Sequence, residues 1–325
     1  MDKTPRDHGG NLDAAMHRFG GDRAQWIDLS TGINPVPYPM PQLSRHAVAE
    51  LPTTSDMAAL REAAAACYRT RAHVTPLAGA QAAIQAVPHL AVPGLARVLS
   101  PTYNEHAAAL RARGWTVEDV PEIDALAGAE CAIVVNPNNP DGARHDPARL
   151  AALAAHVGLL VVDESFADPE TDLSLAPHLH SGPENILILR SFGKFYGLAG
   201  LRLGFALSSG GIARTLADMA GPWPVSGPAI EVALRALTDT AWQAETTARL
   251  TRDVARLDTL GLRAGWSLVG GTPLFRTYAT PDAAAAQEHL ARHQIWSRIF
   301  PYSPHWIRLG LAGTAAEWSR LETAL

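Results

Sequence analysis

The chain has 325 residues, of which 47% are hydrophobic and 18% charged, with a net charge of −5; this is the composition of an ordinary globular protein, long enough for one large domain and a smaller one. Its basic residues are scattered with no Lys/Arg run, which speaks against a nucleic-acid surface, and no stretch approaches the roughly 18 to 20 apolar residues that span a membrane. The polar start Met1-Asp2-Lys3-Thr4-Pro5-Arg6-Asp7 lacks a secretion signal's apolar core, and Cys67 and Cys131 sit in apolar contexts with no Cys-x-x-Cys pair, so a cytoplasmic protein with reduced core thiols and no metal is expected.

Residues 1–40 form a Gly-, Pro- and Asn-rich arm with little helical or strand character, containing His8-Gly9-Gly10-Asn11 and Leu29-Ser30-Thr31-Gly32-Ile33-Asn34-Pro35. A helix is predicted over Asp56–Tyr68, capped by Ser55 or Asp56. The middle of the chain then repeats a short apolar strand, a small or polar turn and a helix. The predicted strands are Arg97–Leu99, Cys131–Val135, Leu159–Val162, Ile186–Leu189 and Leu203–Leu207. Their runs are continuously apolar, as in a parallel sheet covered on both faces, which argues an α/β doubly wound, mainly parallel architecture. In such sheets ligands bind beyond the carboxyl ends of the strands. From about Gly210 the pattern changes to long helices (Pro228–Leu237, Ala241–Leu260) and a mixed region ending in Trp306-Ile307-Arg308-Leu309-Gly310-Leu311. The expected organisation is an arm (1–40) packing with the small domain or active site, a large domain (41–209) and a small α+β domain (210–325).

The polar motifs fall where that architecture would put a site. Gly79-Ala80-Gln81 is a small-residue turn entering a helix, either an ordinary helix start or a phosphate cradle made by N–H groups and the helix dipole. Tyr103, in Ser100-Pro101-Thr102-Tyr103, follows a strand and is either a packed surface tyrosine or a ring that stacks on a planar ligand. Asn136-Pro137-Asn138-Asn139-Pro140-Asp141-Gly142 directly follows a buried strand. Asp163 ends another, where an unpaired carboxylate is costly. Lys194 follows a third, in the segment Arg190-Ser191-Phe192-Gly193-Lys194 and ahead of Gly200-Leu201-Arg202-Leu203-Gly204. Desolvation there lowers an amine's pKa and suits it to a Schiff base with a carbonyl cofactor.

Ser-x-x-Lys followed by Gly-x-Arg-x-Gly resembles the lysine signature of fold-type I pyridoxal phosphate (PLP) enzymes, the aspartate aminotransferase superfamily. The other elements of that family's site occur in order over essentially the whole chain. The resemblance implies that Lys194 carries PLP and that Gly79, Ala80, Gln81, Ser191 and Arg202 hold its phosphate. It further implies that Tyr103 stacks on the ring, Asn139 donates to the phenolic oxygen beside Phe166, and Asp163 keeps the ring nitrogen protonated. Arg308 matches the arginine that grips a substrate α-carboxylate, with Gly32 nearby.

The arm's His8-Gly9-Gly10-Asn11 and Leu29–Pro35, with Asp163-Glu164-Ser165-Phe166, look like the signature of the L-threonine-O-3-phosphate decarboxylases of cobalamin biosynthesis. The function implied is decarboxylation of L-threonine O-3-phosphate to (R)-1-amino-2-propanol O-2-phosphate, in a cytoplasmic homodimer with a possible cobamide-pathway enzyme as partner. His8 and Arg298 are the candidates for holding the substrate phosphate. The alternatives are an aminotransferase of the histidinol-phosphate type, which usually has tyrosine at Phe166, and a non-catalytic PLP- or partner-binding protein. Three positions depart from the family pattern: Gly193 replaces a hydroxyl residue, Leu51-Pro52-Thr53 stands where a Tyr-Pro-Asp run reaches the neighbouring subunit, and Asp141 replaces threonine.

Overall fold

The computed structural model describes residues 8–181 and 183–325. They divide into two compact units. One comprises Pro37–Asn139 and Ala143–Ala244; the other comprises the described residues up to Val36, Pro140–Gly142 and Glu245–Leu325.

The arm is more ordered than its composition predicts. A helix spans Leu12–Phe19, capped by the Asn11 side chain on the Ala14 N–H, and the two-residue strand β1 (Ile27–Asp28) follows. The large unit is built on seven strands: β2 (His73–Leu77), β3 (Leu95–Leu99), β4 (Thr116–Val120), β5 (Cys131–Val135), β6 (Leu159–Asp163), β7 (Ile186–Ser191) and β8 (Gly204–Ser208). Their order is β2-β8-β7-β6-β5-β3-β4. Strands β3 to β7 are parallel, whereas β8 runs antiparallel to both of its neighbours. The central strands β5, β6 and β8 are buried at every position, as apolar runs covered on both faces must be. The edges are different in kind: β4 carries the charged pair Glu118 and Asp119, and β2 carries Pro76, which is tolerated at an edge. Neither edge strand follows from the apolar-run criterion.

The core beneath one face joins Ile133, Val161, Leu187, Leu189 and Ala206 to Leu110 and Leu216 from covering helices and to Trp115, which precedes β4. Cys131 lies within it, and burial pushes its thiol up to about 12. The first long helix spans Thr54–Cys67 rather than starting at Asp56. Its cap is Thr53, which accepts from the Asp56 N–H while the Asp56 carboxylate reaches back to the Thr53 N–H, a capping box upstream of the expected Ser55 or Asp56. Helices Gly210–Ala220 and Gly227–Ala236, expected in the small domain, pack with the large unit, the first against β2 and β8 and the second against the Thr54–Cys67 helix. The compact units accordingly divide at Ala244/Glu245 rather than at 210.

The other unit holds a four-stranded antiparallel sheet of β9 (Ser267–Thr272), β10 (Phe275–Ala279), β12 (Arg298–Phe300) and β13 (Ser303–Leu309), in the order β12-β13-β10-β9. Between β10 and β12 lies β11 (Ile295–Trp296), which pairs in parallel with β1 and so ties the arm to the C-terminal part of the chain.

Candidate active site

Strand register brings the predicted residues of the large unit to one edge of its sheet. Val135 pairs with Asp163, Asp163 with Leu189, and Ser191 with Gly204, which in turn pairs with Leu77. The carboxyl ends of β2, β5, β6 and β7 therefore lie level, and the start of the reversed strand β8 joins them. Gly79 is two residues beyond Leu77, Arg202 two before Gly204, and Lys194 three beyond Ser191.

At the β2/β8 end the chain forms a tight cradle. Gly79 (φ +83°) precedes the helix Ala80–Ala86, whose first turn has no side-chain cap. A Cβ at Gly79 would lie 2.7 Å from Arg202 Nη2, so the guanidinium sits directly over the turn. Arg202 adopts a left-handed conformation (φ 55°, ψ 54°), is exposed, and donates through Nη1 to Ala199 O at 3.0 Å. Uncapped N–H groups beside an arginine fork favour a phosphate-type anion. The Ser191 hydroxyl belongs to the same strand end, since Ser191 pairs with Gly204.

Asp163 is 3% exposed. Its Oδ2 is 2.9 Å from His106 Nε2, and Oδ1 accepts from the Ser165 N–H (2.9 Å) and Oγ (2.5 Å). Burial alone would raise its pKa; the hydrogen bond and charge of His106, with the two bonds from Ser165, outweigh it and hold the carboxyl below its usual range. Phe166 is buried, and Lys194 Nζ lies 5.7 Å from its ring centroid. Tyr103 is half-buried, edge-on to His106 at 6.1 Å, with its hydroxyl donating to Gln81 Oε1 at 3.3 Å; Gln81 Nε2 donates to Glu105 at 2.8 Å. Asn139 is buried in the loop after β5. Its neighbour Asn138 accepts from Thr102 Oγ1 (2.6 Å) and donates to Pro101 O (2.9 Å), which fixes the two loops against each other.

His106 and Ser165 were not anticipated. Ser165 had a local signal, since Asp-x-Ser is a common turn bond; His106 lies in the helix Glu105–Arg111 and meets Asp163 only through the fold.

The remaining predicted residues lie in the other unit. Arg308 is buried on β13, and its Nη2 donates to Ser30 O at 2.5 Å. Arg298 is its direct cross-strand partner on β12; two guanidinium groups placed opposite each other suit an anionic ligand, because like charges in that register otherwise repel. Ser30 is a junction: its Oγ accepts from the Gly10 N–H at 2.7 Å and donates to Asp28 at 2.5 Å. A Cβ at Gly9 would lie within 2.2 Å of Ser30 O, so the His8-Gly9-Gly10 arm is seated directly on the backbone that holds Arg308. His8 is exposed and Gly32 buried. His289 and His293 stand four apart with ring centroids at 5.2 Å, but among the described residues no group of three ligating side chains forms a metal cluster.

Residues 24–325 match the family model for aminotransferase class I and II. The chain is 44% identical to the threonine-phosphate decarboxylase of a Sinorhizobium species, over 99% of this chain and 98% of the relative. It is 43% identical to the threonine-phosphate decarboxylase of Pseudomonas aeruginosa, over 98% and 97%. The fold is shared with the histidinol-phosphate aminotransferase of Sinorhizobium meliloti solved with pyridoxal-5'-phosphate, at a TM-score of 0.83, 19% identity, and coverage of 99% and 94%. The architecture is thus the fold-type I architecture that the lysine motif implied.

Proposed function

The chain belongs to the aminotransferase class I and II family, and we propose that within it the protein is a PLP-dependent decarboxylase converting L-threonine O-3-phosphate to (R)-1-amino-2-propanol O-2-phosphate, for cobalamin biosynthesis. The observation that carries the choice of reaction is the identity with two threonine-phosphate decarboxylases over nearly the whole chain.

The residues fit the cofactor. A Cβ at Gly79, whose φ is +83°, would press on the Arg202 guanidinium, and a Cβ at Gly204 would strike the backbone of Ala80 and Gly79, so guanidinium and backbone N–H groups meet closely at this turn. Asp163 is buried and kept ionised by His106 and Ser165. Lys194 supplies the one lysine on this edge. PLP, when bound, supplies an electron sink for the pair released as a bond at the substrate Cα breaks.

Each residue then has one task. Lys194 would hold the cofactor at its carbonyl, and its amine would carry the proton delivered to the substrate Cα. Asp163 holds the proton on the ring nitrogen. Gly79, Ala80, Gln81, Ser191 and Arg202 hold the cofactor phosphate; Tyr103 covers the ring, with Phe166 beside the lysine, and Asn139 donates to the phenolic oxygen. Arg308, with Gly32 nearby, grips the α-carboxylate, and His8 and Arg298 hold the substrate phosphate. By orienting the substrate, these grips would decide between loss of CO₂ and loss of the Cα proton. The same reading makes the protein a cytoplasmic homodimer.

The test uses purified full-length protein with PLP and L-threonine O-3-phosphate, without a keto acid. A visible cofactor band absent from Lys194→Ala, with CO₂ released over many turnovers, is expected. A band with no CO₂, but amino transfer to the cofactor from histidinol phosphate, would establish the aminotransferase instead.

A further inference from the structure

Behind the strand ends that carry Asp163 and Lys194 lies a set of charges the proposed reaction does not use. Arg190, next to last in β7, is 2% exposed. Its Nη1 donates to Glu164 Oε2 at 2.9 Å and its Nη2 to Asp168 Oδ1 at 2.7 Å. Glu164 is wholly buried and also accepts from Ser174 Oγ (2.5 Å) and the Leu175 N–H (2.8 Å). The guanidinium lies 4.4 Å from the centre of the Tyr68 ring. Burial pushes both carboxyls up, against the opposing pull of Arg190. Three buried charges are an expensive way to hold a fold together, since well-packed apolar residues serve as well or better.

The arrangement has a specific geometry. One guanidinium anchors both ends of the segment Glu164–Asp168. Inside that segment, Ser165 holds Asp163 Oδ1 and Phe166 faces Lys194 Nζ. Arg190 itself precedes Ser191 and the turn that carries Lys194, and its side chain leaves β7 on the face opposite Ser191. The same ion cluster therefore sets the 164–168 bend from both ends and ties it to the strand that presents the lysine.

We propose that Arg190, Glu164 and Asp168 are positioning residues that fix the 164–168 bend, and through Ser165 and Phe166 the placement of Asp163 and Lys194 relative to the cofactor. This rests on the PLP reading of that edge.

The test uses full-length holoprotein of wild type, Asp168→Ala, Asp168→Asn, Glu164→Gln and Lys194→Ala. The readouts are far-UV circular dichroism, the pH titration of the visible cofactor band, and kcat and KM. Asp168→Ala leaves Arg190 and Glu164 as a balanced pair. It is expected to fold, to shift the spectral pKa by about half a unit or more, and to lower kcat roughly tenfold with KM little changed. Asp168→Asn, which keeps an oxygen for Nη2, restores both. Should Asp168→Ala not fold, Glu164→Gln carries the same expectation. A variant that melts earlier but keeps the wild-type spectral pKa and kcat would make the cluster purely structural and overturn the proposal. A wild-type sample with no band abolished by Lys194→Ala would overturn the PLP reading, and the proposal with it.

Discussion

Gly204→Ala is the most direct test of the phosphate cradle. A methyl group at this position would come 2.4 Å from Ala80 N, 2.6 Å from Gly79 C and 2.9 Å from Arg190 O, all backbone atoms with no flexible side chain to yield. Relief to an ordinary contact of 3.4 Å requires Ala80 and β8 to part by about 1 Å (3.4 − 2.4). Overpacking of this kind costs about 1–3 kcal/mol of stability. The same displacement takes the Ala80 N–H off the anion it is proposed to hold, and a hydrogen bond to a charged group is worth roughly 1.5–3 kcal/mol. The expected result is therefore a cofactor Kd raised at least about tenfold, the equivalent of about 1.4 kcal/mol. PLP binding is followed by quenching of tryptophan fluorescence, and stability by thermal melting of the cofactor-free protein. Gly211→Ala is the control, because nothing lies within 4 Å of its Cβ. If Gly204→Ala binds PLP as tightly as wild type while melting earlier, the cradle does not hold the phosphate and the assignment of Gly79, Ala80 and Arg202 fails.

Three further outcomes are expected. Asp163 is held below the ordinary carboxylate value of about 3.9, so the stability it contributes is present above that value and lost as pH falls through the lowered one. His106→Ala removes the partner that opposes burial, and the acid-unfolding midpoint measured by circular dichroism should move to higher pH; an unchanged midpoint would remove His106 from the account. Ser30→Ala deletes the hydroxyl that joins Gly10 to Asp28, and steady-state kinetics should show a raised KM for L-threonine O-3-phosphate with the cofactor spectrum unaltered. Thr53→Ala breaks the capping box of the Thr54–Cys67 helix and should cost about 1 kcal/mol in denaturant unfolding without altering kcat.

Much of the large unit is legible in the sequence because its central strands are buried on both faces. Cys131–Val135 is identified to the residue, and Leu159–Asp163 and Ile186–Ser191 to within two. That same signal cannot find β2 or β4. An edge strand has one side without a partner, so it tolerates the proline of β2 and the charges of β4, and the apolar run disappears. The reversal of β8 is equally hidden, since a buried strand reads alike in either direction. Within the candidate site, Lys194, Asp163 and Asn139 stand out in the sequence through motifs at strand ends. His106 does not: it lies in an alanine-rich helix, and its importance comes from Asp163, a partner 57 residues away. The boundary at 244/245 was obscured because helices on a sheet and helices of a separate domain share one amphipathic pattern.

The reversal of β8 has a consequence for how such a protein can change. Lys194 and Arg202 sit on one connection, closed at its base by the pairing of Ser191 with Gly204. That loop is a self-contained cassette with both attachment points fixed by register. Exchange between related chains could swap residues 192–203 as one piece, leaving the strands of the sheet untouched. Inserting a single residue into it, by contrast, would change the span from amine to guanidinium, which no repacking elsewhere in the sheet could restore.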